Sequence, residues 1–221
     1  MSQDAQRAIG VDVGGTKTLI GLVCDGVVLD HREQPTRVGG DDVERIGEFV
    51  AATLADWVQH QPVALGAGFP EYVDADGRLT SREVLTWARQ PADVLGEAVA
   101  AAGLAHLPVR IDSDVRAAAR GEAVHGRGVG IGSFLYVSLG TGLSSTLVVQ
   151  GRPWAGARGE AIALGEWVPL PSELEAAPGS LEKYCSGTGV TERYRACGGD
   201  AQQARDLVAA AARGDDRAQA V

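Results

Sequence analysis

The chain has 221 residues, 45% of them apolar and 22% charged, which is enough to bury a core and argues against wholesale disorder. Twenty basic against 29 acidic residues leave a formal charge of −9, with lysine only at Lys17 and Lys183, so a nucleic-acid backbone is a poor partner. Cys24, Cys185 and Cys197 are odd in number and far apart, which fits neither a disulfide framework nor a zinc cluster. With no apolar leader in MSQDAQRAIG and no apolar run of membrane length, the expected compartment is the cytoplasm, and no membrane partner is expected.

In chain order, Ala8 to Val13 and Thr18 to Val23 read as a β-hairpin turning at Gly14-Gly15-Thr16-Lys17, and Gly26 turns the chain into Val27-Val28-Leu29. Asp41 with Glu44 starts a helix whose apolar face is Val43, Ile46, Phe49, Val50, Leu54, Trp57 and Val58. Val63 to Gly68 is a buried strand, Val94 to Ala102 a helix closed by Gly103, and Leu107 to Ile111 a strand followed directly by a helix from Asp114 to Gly121. Ser133 to Leu139 and Ser144 to Val149 form a second hairpin, turned by Gly140-Thr141-Gly142. Beyond Gly151 the chain is irregular until helices near Leu181 to Tyr184, Val190 to Ala196 and Ala201 to Arg213. This mixture predicts an α/β fold.

The second hairpin echoes the first. Val137-Ser138-Leu139-Gly140-Thr141-Gly142 repeats the pattern of Val11-Asp12-Val13-Gly14-Gly15-Thr16 about 126 residues downstream, a spacing that fits a duplicated domain rather than a solenoid. The counterpart of Asp114 would then fall near residue 240, so the second copy reads as incomplete at the C-terminus.

Glycine turns let backbone N–H groups converge on phosphate oxygens, and the first turn adds the Thr16 hydroxyl and the Lys17 ammonium. Asp12 is placed to hold Mg²⁺, which takes a few carboxylates together with phosphate oxygens. The pattern is neither a Walker A loop nor a GxGxxG fingerprint. Asp112-Ser113-Asp114 stands where a strand meets a helix. There Asp114 reads either as a helix N-cap or as the base that takes the proton of a hydroxyl in phosphoryl transfer. His31, His60, His106 and His125 lie apart, without metal-ligand spacing.

Three motifs together resemble the ROK family of bacterial sugar kinases and regulators: Val11 to Lys17; Asp114 followed by Ala117-Ala118 and Gly121-Glu122; and Phe134 to Gly142. The resemblance runs from about Ile9 to Tyr194. It implies a two-lobed, actin-like ATPase (ribonuclease H-like) fold, with an N-terminal lobe over 1–115, a C-terminal lobe over 116–221, and ATP and substrate in the cleft between them. It further implies Asp12 and Gly14, Gly15, Thr16 and Lys17 at the first phosphate motif, Gly140, Thr141 and Gly142 at the second, and Asp114 as the catalytic base.

The departures concern the sugar side. Ser113 stands where the family has Asn before the base, and Val84-Leu85-Thr86-Trp87 where it has the sugar-contacting Asn-Leu-x-Trp. In the block after Gly156-Ala157-Arg158-Gly159, an ungapped match puts Ala163 at the family's Glu and Glu166 at its His; a gapped match keeps Gly165-Glu166 and loses the His. Glu182 matches a family sugar-contacting Glu. The Cys-rich zinc motif is replaced by Pro171 to Ser180, so structural zinc is not expected, and Ser144-Ser145-Thr146 replaces glycines. Ser113, Glu166 and Glu182 are the candidate substrate residues.

A site that loses its hexose ligands while keeping its phosphate and base machinery points to a different polyol, with a sugar-like cyclitol as the specific expectation. The expected activity is an ATP- and Mg²⁺-dependent kinase of a sugar or cyclitol hydroxyl, compatible with a homodimer. The alternative is a non-catalytic sugar-binding or regulatory relative; about eight residues before the first strand leave no room there for a DNA-reading helix-turn-helix.

Overall fold

The computed structural model describes residues 6–37, 39–168 and 179–221. Two compact units emerge: the described residues of Met1–Phe134 with Leu147–Glu160, and those of Leu135–Thr146 with Ala161–Val221. The α/β expectation holds.

In the first unit, β1 (Arg7–Val13) and β2 (Lys17–Cys24) form the expected hairpin, in register from Arg7 opposite Cys24 to Val13 opposite Thr18. A Gly14 N–H to Lys17 carbonyl bond of 2.9 Å closes its turn. β3 (Val27–Pro35) pairs antiparallel with β2 and runs well past the expected Val27-Val28-Leu29. β4 (Leu65–Phe69) lies parallel to β1, and β5 (Val109–Ser113) parallel to β4, giving the order β3-β2-β1-β4-β5.

Alternation along β1 sends Ile9, Val11 and Val13 to one face. There they share a core with Ile46, Val50 and Leu54 of α1 (Asp42–Trp57) and Leu95 and Val99 of α2 (Pro91–Ala101). The expected start of α1 is confirmed, because the Asp41 carboxylate accepts the Glu44 N–H. The other face carries Gly10, aligned with Gly21 on β2 and Gly66 on β4, so the sheet is shallow across its middle. A cavity of about 900 Å³ opens over it, with mostly apolar walls that reach Asp12 and Asp112 at one end.

α3 (Asp114–His125) follows β5 without a loop. Its Arg116 is buried and donates to the Asp112 carboxylate at 2.5 Å, the Gly159 carbonyl at 2.8 Å and the Val73 carbonyl at 2.6 Å. Gly159 is obligatory here: its φ is +82°, and a Cβ would stand 1.9 Å from the Val73 oxygen. These contacts keep α3 with the first sheet, although the sequence division at residue 115 assigned it to the second lobe.

The second hairpin is also as expected. β6 (Ser133–Leu139) and β7 (Leu143–Val149) turn at Gly140 to Gly142, and a two-residue β8 (Arg152–Pro153) completes a sheet in the order β6-β7-β8. In the second unit follow α4 (Leu181–Cys185), α5 (Gly187–Ala196), α6 (Ala204–Ala212) and α7 (Asp216–Ala220). Tyr194, Ala201, Leu207, Ala210 and Ala218 form a small core there. Pro171 to Pro178, most of the segment in place of a zinc motif, lie outside the described residues.

Candidate active site

The carboxylates of the first unit gather at the strand ends. Asp12, next to last in β1, points to the face opposite Val11 and Val13, and its neighbour in register on β4 is Gly68. Gly68 in turn is level with Asp112 on β5. With no Cβ, Gly68 lets the first turn of α3 come in close: a Cβ there would lie 3.0 Å from the Asp114 Cα and 3.4 Å from the Ala117 Cβ. From the sequence Gly68 is only the last residue of the Val63 to Gly68 strand, because the partner that needs its missing Cβ lies on another element.

Ser113, not Asp114, is the N-cap of α3. It is fully buried, and its hydroxyl accepts the Arg116 N–H at 3.3 Å. Of the two readings of Asp114, the cap is therefore excluded: Asp114 stands one residue into the helix, and the candidate substrate residue Ser113 caps it. Asp114 is half-buried, and its Oδ1 accepts its neighbour Val115 N–H at 2.7 Å.

Burial pushes the Asp114 carboxyl up to about 6; the Val115 N–H opposes this, and the negative charge of Asp12 adds to it. Asp12 opens to solvent in the cavity wall but is crowded by protein, and burial raises its pKa against the pull of Lys17. Two carboxylates within electrostatic reach, both raised, make a site that a divalent cation would relieve, and Asp12 is the hard oxygen donor such a cation takes. Among the described residues no three His, Cys, Asp or Glu side chains gather into a metal cluster, so any cation here would rest on few protein ligands. Lys17 pairs with Glu33 at 3.1 Å, both more than half exposed at 57%; such a pair is weak enough for the ammonium to turn to a phosphate.

Beside the first glycine turn lies an irregular segment, residues 81–88. Val84 packs on the turn, its Cγ1 3.2 Å from where a Gly15 Cβ would be. With no strand or helix to satisfy their backbone, these residues donate to carboxylates: Glu83, Val84 and Leu85 to Glu71, Thr86 to Asp42, and Ala88 to Asp41. Sequence reasoning missed Glu71 and Asp42. Both are buried acids, and their donors lie 10 to 44 residues away, where no periodicity announces them.

In the second unit, the Gly140 carbonyl accepts the Gly187 N–H at 2.7 Å, and the Thr141 carbonyl accepts the Thr188 hydroxyl at 3.0 Å, which ties the second glycine turn to the start of α5. Glu182 accepts the Leu143 N–H at 2.7 Å, so one oxygen of this expected substrate residue braces the same turn. Glu166 ends a single-turn helix, Leu164–Glu166, whose Gly165 sits against Glu182. The structure thus brings Asp12, Gly14 to Lys17, Ser113 and Asp114 together in the first unit, and Gly140 to Gly142, Glu166 and Glu182 in the second. Among the described residues no helix is long and apolar enough to cross a membrane.

The profile described as "ROK family" matches residues 8–221. The glucokinase of Streptomyces coelicolor is 31% identical over 191 residues, which cover 84% of this chain and 58% of that protein. The N-acetyl-D-glucosamine kinase of Vibrio vulnificus is 28% identical over 227 residues, covering 95% of this chain and 72% of that protein. A solved ROK family glucokinase from Streptomyces griseus, in complex with glucose and AMPPNP, superposes with a TM-score of 0.77 at 27% identity, covering 96% of this chain and 73% of that one. The chain therefore spans 58% of the length of the S. coelicolor glucokinase, and the α/β architecture is that of the actin-like ATPases.

Proposed function

The chain belongs to the ROK family, and from that premise we propose that it acts as an ATP-dependent kinase, transferring a phosphoryl group to a hydroxyl of a sugar or sugar-like cyclitol. The observation that carries this reading is the seating of Asp114 beside Asp12, with its carboxyl raised to about 6. A base with that affinity is unprotonated at neutral pH yet still takes a proton well.

In the proposed reaction Asp114 orients the acceptor hydroxyl and accepts its proton as the oxygen bonds to the γ-phosphorus; the bond from that phosphorus to the bridging oxygen breaks, and ADP leaves. Gly14 to Lys17 of the first unit are assigned to the triphosphate, whose oxygens their backbone N–H groups and the Lys17 ammonium would meet. Asp12 would hold Mg²⁺, which supplies charge neutralisation at the phosphates.

The cyclitol reading is supported by what the acceptor side lacks. Val84 stands where the family pattern has the amide of Asn, and the Ser113 hydroxyl, where the pattern has another Asn, caps α3. A pocket built for particular hydroxyls discriminates strongly against analogues that lack them, so its loss points to another polyol. The test is ADP release over a panel of hexoses, N-acetylhexosamines and cyclitols with Mg·ATP. A cyclitol should give the highest kcat/KM. Preference for glucose or N-acetylglucosamine would refute the cyclitol while keeping the kinase, and sugar binding with no ADP release would favour a non-catalytic relative.

A further inference from the structure

Glu71 is a carboxylate only 3% exposed, and four donors converge on it. Oε1 accepts the N–H groups of Val84 at 2.9 Å and Leu85 at 2.8 Å; Oε2 accepts the Glu83 N–H at 2.9 Å and the Ser81 hydroxyl. Ser81 Oγ also receives the Tyr72 N–H at 2.9 Å, which locks the acid's own strand exit to the same segment. A buried carboxylate is stable only when its oxygens are satisfied, and here three backbone N–H groups and one hydroxyl, all from residues 81–85, satisfy them. Moving that stretch would leave the charge unpaired, so the acid enforces one conformation of residues 81–85. Downstream, Asp42 receives the Thr86 N–H at 2.8 Å and Asp41 the Ala88 N–H at 2.7 Å, so the segment is fixed at both ends. What it presents is Val84, seated against Gly15 in the first glycine turn.

We infer that Glu71 is a positioning residue for the acceptor: by fixing the backbone of residues 83–85 it sets the wall that the acceptor meets beside the phosphate turn. The acceptor part of this inference rests on the kinase reading above. Glu71 itself touches neither substrate. The phosphate turn carries its own closing bond from Gly14 to Lys17, so loosening the segment should spare nucleotide binding.

Glu71→Ala and Glu71→Gln distinguish the possibilities. The glutamine keeps a carbonyl oxygen for Val84 and Leu85 and loses the acceptor for Glu83. Glu71→Ala should raise the acceptor KM at least tenfold while the ATP KM moves less than threefold; Glu71→Gln should recover most of that loss. In hydrogen exchange without ligands, the amides of Val84 and Leu85 should lose protection in Glu71→Ala and largely keep it in Glu71→Gln, whereas that of Glu83 should lose protection in both. Unchanged protection, or variants that lose only kcat in proportion to their folded fraction, would overturn the inference. If Glu71→Ala does not fold, Glu71→Gln with unchanged exchange at Glu83 does the same. Should the wild type phosphorylate no acceptor, the kinase reading fails and takes the acceptor role with it, while the exchange experiment still decides whether Glu71 fixes the segment.

Discussion

At Asp114 three short-range facts combine: a cap supplied by its neighbour Ser113, a seat opened by Gly68, and burial that raises its carboxyl to about 6. None works alone. Were Asp114 the cap, N–H groups further along the helix would add to that of Val115 and its affinity for a proton would fall. Gly68 is the most direct handle on the seat. In Gly68→Ala the new methyl would press on the Asp114 Cα at 3.0 Å, and a backbone contact yields only by shifting α3. We expect a modest stability loss, about 1 kcal/mol, but a fall in kcat of ten- to a hundredfold, because misplacement on this scale costs far more in catalysis than in folding. Steady-state kinetics beside thermal unfolding check the split; loss of stability without loss of kcat would show that Gly68 only packs.

Among the elements, α3 depends on Arg116, whose fork reaches three acceptors on three separate stretches of chain. Replacing it by Met removes the charge and strands the Val73 and Gly159 carbonyls, while Asp112, 31% exposed, regains some water. Urea unfolding of Arg116→Met should show a loss of about 3 kcal/mol, and Arg116→Lys should not restore it, since an ammonium cannot span the three directions. Elements of this kind were legible in the sequence wherever one face is apolar: the two hairpins, α1 with its Asp41 cap, and the strand–helix junction at Asp114 all follow from local pattern. The second half of β3 was not, because Asp30 to Gln34 carry no apolar alternation on an edge strand and form only by pairing with β2. The cap at Ser113 was misplaced by one residue, since a Ser-Asp pair at a strand end offers two equally good caps. Glu71 and Asp42 were invisible for a different reason: their role is defined by distant backbone donors, and a lone acid in the sequence carries no sign of them.

For the whole molecule, each unit carries one glycine turn braced in its own way. The first is closed by its own backbone and flanked by Val84; the second is tied to α4 and α5 through Glu182, Gly187 and Thr188. That Asp114 is the base is tested most directly by the pH dependence of kcat/KM, which reports the free enzyme. With the best acceptor and Mg·ATP both well below saturation, the wild type should lose activity about tenfold per pH unit below a midpoint near 6, as protonation of Asp114 removes the base. Asp114→Asn should be slower by roughly 10²–10⁴ and show no such limb. A wild-type profile that stays flat from about pH 5 to 8, or an Asp114→Asn enzyme with the wild-type rate and the same acid limb, would contradict the account.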